Sequence, residues 1–141
     1  MPEDIKKAGL LVRTIAKILD FIIIAAALEI IPKAGFFAGL AYLLIGDGLF
    51  DGRSLGKKLI GIKVVSADML TPCSFRESIL RNSTFGIGFI LYKAMWFGWI
   101  FIFVAVIIEF LILLGSREQK RLGDEIAKTF VIDTPQYKQE A

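Results

Sequence analysis

The chain has 141 residues, 55% of them hydrophobic, and a mean hydropathy of +0.65, which is more apolar than ordinary soluble domains of this size. Seventeen Lys and Arg against fourteen Asp and Glu leave a net charge of +3. In so apolar a chain this reads as basic residues gathered on the cytoplasmic side of a membrane, with no nucleic acid as partner. The single cysteine, Cys73, and the lack of histidine exclude an internal disulfide and speak against a zinc or other thiolate or imidazole site, so neither metal nor cofactor is expected.

Leu10 to Ile31 is the first element and has the length of a membrane-crossing helix. Lys6 and Lys7 before it resemble the n-region of a signal peptide, but the run is too long and too charged for removal, so it is read as a signal-anchor with a cytoplasmic N-terminus. Arg13, Lys17 and Asp20 are spaced four and three apart and fall on one helical stripe. Turning such a charge toward lipid costs at least ~2.5–3.5 kcal/mol, so the stripe must face protein or water. Two readings stay open for it. Asp20 is a working proton or cation site that the long Arg13 side chain reaches, with Lys17 competing, or the three charges neutralise one another to hold a bundle together.

Pro32 ends the first helix, and Ile31-Pro32-Lys33 predicts a tight outer turn into a second span from Ala34 to about Phe50. Gly35 and Gly39 have the small-residue spacing of closely approaching membrane helices. Asp47 and Asp51 lie at its inner end, where an Arg13–Asp47 pair across the hairpin is expected. From Asp51 to Arg81 the basic residues dominate, which marks a cytoplasmic loop, about 51–76. Within it LIGIKVV reads as a short strand with Ile60, Ile62 and Val64 on one side, followed by a turn and by Ser74 and Glu77 in the positions of a capping box, which starts a helix near Phe75. GRSLGK has the wrong spacing for a phosphate loop, and Ser54-Leu-Gly-Lys57 lacks the partner motifs of penicillin-binding enzymes. No enzyme is expected.

The apolar stretch from Ser83 to Leu114 exceeds one span. A single crossing would put Arg117, Lys120, Arg121 and Lys128 outside, so two crossings are predicted: a short or tilted segment from Phe75 to Ala94, interrupted by Gly86 and Gly88, and a return from about Trp96 to Leu114. Glu109 then sits deep in the return helix, either as a buried acid protonated or paired with a basic residue of the first helix, or as a functional group. Phe130-Val-Ile132 is expected to pair with Ile62-Lys-Val-Val65, because either run alone leaves its backbone groups without partners.

Four motifs in this order resemble the RDD family of small membrane proteins over roughly residues 8 to 133: Arg13 with Asp20; Gly52-Arg-Ser-Leu-Gly-Lys-Lys-Leu-Ile-Gly-Ile-Lys-Val-Val65; Arg81-Asn82; and Gln119-Lys-Arg-Leu-Gly-Asp-Glu-Ile-Ala-Lys-Thr-Phe-Val-Ile132. By that resemblance Arg13 and Asp20 fill the first two places of the family's name and Asp124 the third. The chain departs from the family in having Lys128 where an Ala-Gly-Thr motif has glycine, and in lacking an acid in its third apolar segment. The resemblance implies transport of an unidentified ligand.

The expected fold is an all-α membrane protein, a bundle of about four membrane segments with a small cytoplasmic β element. A single domain spans 1–134, with a polar tail over 135–141 and both termini cytoplasmic. The expected function is transport of a small solute or ion at the cell membrane through Arg13, Lys17, Asp20, Asp47, Glu109 and Asp124. Four spans enclose a pathway poorly, so a homo-oligomer or a partner membrane subunit is expected. The competing reading is a non-transporting scaffold or assembly factor whose basic cytoplasmic face docks lipid or protein.

Overall fold

The computed structural model describes residues 5–133, so the expected tail over 135–141 lies outside the described residues. Helix α1 runs Leu10–Ile30, as its periodicity predicts, and turns at Pro32 into α2, Gly35–Ile45. The turn is tight enough that a Cβ on Gly35 would press on the backbone of Ala27 and Leu28. α2 is shorter than the sequence suggests, because the chain tightens into a 3₁₀ turn at Gly46–Gly48 that directs Asp47 inward.

The basic loop holds more helix than expected. Ser54 accepts a hydrogen bond from the Lys57 amide and caps a short α3, Leu55–Ile60, which ends where Gly61 takes φ 84°. Ile60 therefore belongs to a helix, and strand β1 begins at Ile62 and ends at Ser66. β1 pairs antiparallel with β2, Thr129–Asp133, with Val64 opposite Val131 and Val65 opposite Phe130, which is the pairing expected from the sequence. Both faces of this ribbon are covered. Ile62, Val64 and Val131 pack with Ala8, Ala16 and Cys73, while Val65, Phe130 and Ile132 form a second cluster with Ile5 and Leu70 against them.

Helix α4, Phe75–Ala94, starts in the expected capping box of Ser74 and Glu77. It runs unbroken through Gly86 and Gly88, contrary to the predicted interruption. Gly86 instead lets Leu44 of α2 approach, its Cδ2 lying 2.8 Å from where a Cβ would stand. α5 spans Gly98–Gly115, and the short α6 covers Leu122–Ile126. A third cluster, Ile24, Leu43, Phe85 and Phe89, joins α1, α2 and α4, with Phe36 stacked on Phe89 at a ring separation of 5.1 Å.

The protein is thus mostly helical with one two-stranded sheet. Among the described residues, α5 is the one helix both long and apolar enough to cross a membrane, and most of its surface has no protein against it. α1 and α4 carry four charged residues each, and α2 has eleven residues against the roughly twenty of a full span.

Candidate functional site

Arg13, Asp47, Lys57, Arg81 and Asp124 converge where α1, the 3₁₀ turn, α3, α4 and α6 meet. Arg81 is fully buried at the centre, in the second turn of α4. Its Nε lies 3.2 Å from Asp47 Oδ2 and its Nη2 lies 2.6 Å from Asp124 Oδ1, so one guanidinium ties the α2–α3 turn to α6. These are ion pairs by distance, but no nitrogen of Arg81 has the alignment of a hydrogen bond.

Each of the two carboxylates collects further donors. Asp47 pairs with Lys57 of α3 and accepts from Asn82 Nδ2 at 3.2 Å. Asp124 pairs with Arg13 of α1, accepts from the Arg121 amide at 3.3 Å, and has the Arg121 guanidinium 3.7 Å away. Burial alone would raise both acids, but Lys57, Arg81 and Lys17 around Asp47, and Arg81, Arg121 and Arg13 around Asp124, outweigh it and hold both well below the usual carboxylate range. The expected Arg13–Asp47 pair is not formed: Arg13 reaches past the hairpin to Asp124 and to the Gln119 carbonyl.

Asp20 also departs from expectation, since neither Arg13 nor Lys17 pairs with it. It accepts from Tyr42 Oη at 2.6 Å, Ser54 Oγ at 2.6 Å and the Gly56 amide at 2.9 Å, so it binds the first turn of α3 through neutral donors. Gly56 is required here, because its Cβ would collide with the Ala16 carbonyl and stand 2.9 Å from Asp20 Oδ1. Gly56→Ala is expected to destabilise the protein by about 1–3 kcal/mol, read as a lower melting temperature in detergent, because neither backbone can yield without parting α1 from α3. An unchanged melting temperature would contradict that contact.

Lys17 joins this network through Asn82, while Glu109 makes no hydrogen bond to it among the described residues. The Lys17 ammonium donates to Asn82 Oδ1 at 3.1 Å and lies over the rings of Phe85 and Phe21, 4.9 and 5.5 Å from their centroids. Glu109, on α5, is 2% exposed, and both of its carboxylate oxygens lack a hydrogen-bond partner among the described residues. Both side chains line a cavity of about 210 Å³ with Arg13, Phe21, Phe85 and Arg121. Cys73 plays no part, being buried with its thiol pushed up to about 12, burial being the main cause.

Arg13, Asp47 and Asp124, picked out from sequence, thus share one network, while Lys17 and Glu109 share the adjoining cavity and Asp20 acts as a cap. The sequence reading assigned no role to Arg81, Asn82, Lys57, Ser54, Tyr42 or Arg121. All of these except Tyr42 stand inside the motifs Gly52–Val65, Arg81-Asn82 and Gln119–Ile132, and that was the available signal.

Residues 7–128 match the family model described as the RDD family. The chain belongs to the RDD family. No curated protein and no solved structure matches it. Membership makes this a membrane protein, and the matched stretch contains every element of the buried network. In this RDD domain the arginine and second aspartate inferred for the family name, Arg13 and Asp124, are direct ion-pair partners, 111 positions apart in sequence.

Proposed function

We propose that this RDD protein crosses the bilayer several times, through α1, α2, α4 and α5, and moves a small charged solute or ion past the cavity lined by Lys17 and Glu109, with a proton exchanged at Glu109. The supporting observation is the Glu109 carboxylate, buried in an apolar helix with neither oxygen hydrogen-bonded among the described residues, lining one cavity with Lys17, Arg13 and Arg121 and within electrostatic range of Arg81. Intramembrane acids are costly and mark ion or substrate pathways, and a carboxyl without structural donors is free to change its proton occupancy. The Arg81-centred network is the rigid frame against which that exchange occurs. Glu109 therefore replaces Asp20 as the exchanging acid, because the three donors to Asp20 tie it to α3. A second copy or a partner membrane subunit completes the pathway, since α1 and α5 are not closely packed on each other.

In this reading α3, α6 and the β1–β2 ribbon lie in the cytoplasm with both ends of the chain, as the clustering of basic residues suggests. Single cysteines introduced at Lys33 and Lys93 should react with an impermeant thiol reagent from outside the cell, and one at Asp68 should not. Labelling of position 68 from outside would refute the arrangement. For the transport reading, the protein is reconstituted in liposomes with internal pH and cation indicators, and saturable dissipation of an imposed gradient is expected. Leakage no greater than in empty liposomes, under every ion gradient tried, would refute it.

A further inference from the structure

We propose, building on that reading of the cavity, that its ligand is an anionic amphiphile: a carboxylate or phosphate head seated on Lys17 and Arg121, with its hydrocarbon chain leaving between α1 and α5. Charge is the first argument. The buried cluster holds five cations, Arg13, Lys17, Lys57, Arg81 and Arg121, against Asp20, Asp47, Asp124 and Glu109, and remains short of negative charge even with all four acids ionised. Asp124 is divided among three arginines, and Lys17 forms no direct ion pair among the described residues: it donates to the neutral Asn82 oxygen, lies over two ring faces and feels Asp47 and Asp20 only at longer range. A cluster of this sign in an apolar surround repels a metal or alkali cation and attracts an anion.

Shape is the second argument. Above the cations the walls are Ile18 and Phe21 of α1, Phe85 of α4, and Val106, Phe110 and Leu113 of α5. α1 packs on α2 and α3, and α5 packs on α4, so the gap between α1 and α5 opens sideways. Ile18 and Phe110 beside it are 52% and 42% exposed. A hydrated ion gains nothing from such walls, whereas an acyl chain does.

Arg13, Lys17, Arg121 and Glu109 are the charged groups lining the cavity among the described residues; α4 contributes Phe85 to the lining, and its Arg81 lies within electrostatic range of Glu109. Three basic groups against one carboxylate leave the cavity positive toward an anionic head.

The test measures binding of radiolabelled laurate and of lauroyl lysophosphatidic acid to the full chain in phosphatidylcholine nanodiscs, with acetate and inorganic phosphate as chainless competitors. Saturable binding at one site per chain is expected for at least one lipid, with the chainless anions needing at least about a hundredfold higher concentration to compete. Arg121→Gln and Lys17→Met should each weaken it at least about tenfold. The melting temperature of each variant separates lost binding from lost folding, and Arg121→Gln covers the case in which Lys17→Met fails to fold. Lipid uptake that does not saturate, or that folded Arg121→Gln and Lys17→Met leave unchanged, overturns the inference. So does competition by acetate or phosphate at equal concentration, which would make the ligand a water-borne anion and leave the transport reading standing. Gradient dissipation abolished by Glu109→Gln without any lipid binding would also sink the amphiphile alone.

Discussion

Asp124→Asn is expected to cost the folded protein about 3–5 kcal/mol, the usual consequence of removing one partner from a buried ion pair. Asp124 is completely buried and is the shared counter-charge of Arg13, Arg81 and Arg121. Asparagine keeps the size but leaves Arg81 with Asp47 as its remaining acid and Arg13 with a backbone carbonyl. The same acids set the response to pH. The folded forms of Asp47 and Asp124 are depressed below their unfolded values, so their contribution is complete above about pH 4 and is lost as the pH falls further through the folded values. Melting in detergent should therefore drop steeply below about pH 4 for the native chain, and the drop should be shallower in Asp124→Asn. Adding Arg13→Gln to Asp124→Asn should cost less than the two single changes summed, because the second removes a cation already stripped of its partner. Strict additivity would show that the two residues do not interact.

Glu109→Gln is expected to act in the opposite sense. It should abolish gradient dissipation in liposomes while leaving stability within about 0.5 kcal/mol of the native chain or raising it. The amide cannot exchange a proton, and it replaces a carboxyl that makes no hydrogen bond among the described residues. A structural acid behaves otherwise: its removal leaves a buried cation uncompensated and lowers abundance along with activity.

The helical periodicity of Arg13, Lys17 and Asp20 made their common inward face legible in the sequence: Arg13 and Asp20 are buried and Lys17 is partly buried. The capping box at Ser74 and the pairing of Phe130–Ile132 with Ile62–Val65 were legible for similar reasons, since each follows from local chemistry and from the need to pair backbone groups. Charge partners were not. Spacing along one helix says which residues share a face but nothing of what the neighbouring helix offers, so Arg13 was expected on Asp47 and is found on Asp124. The partners of Asp20 were not legible because they are neutral. The Ser54 hydroxyl, the Tyr42 hydroxyl and the Gly56 amide give no charge pattern to follow, and α3, six residues long, is hidden by its glycine and its two lysines. Gly86 and Gly88 read as breaks because glycine is a poor helix former, whereas the close approach of Leu44 at Gly86 favours the missing side chain.

The proposed division of the buried charges into a fixed frame around Arg81 and a proton site at Glu109 is tested most directly by the melting temperature of Glu109→Gln beside that of Asp124→Asn, both purified in the same detergent at pH 7. The account predicts a melting temperature for Glu109→Gln equal to or above that of the native chain and a large fall for Asp124→Asn. A fall in Glu109→Gln as large as that in Asp124→Asn would contradict it, because Glu109 would then belong to the frame.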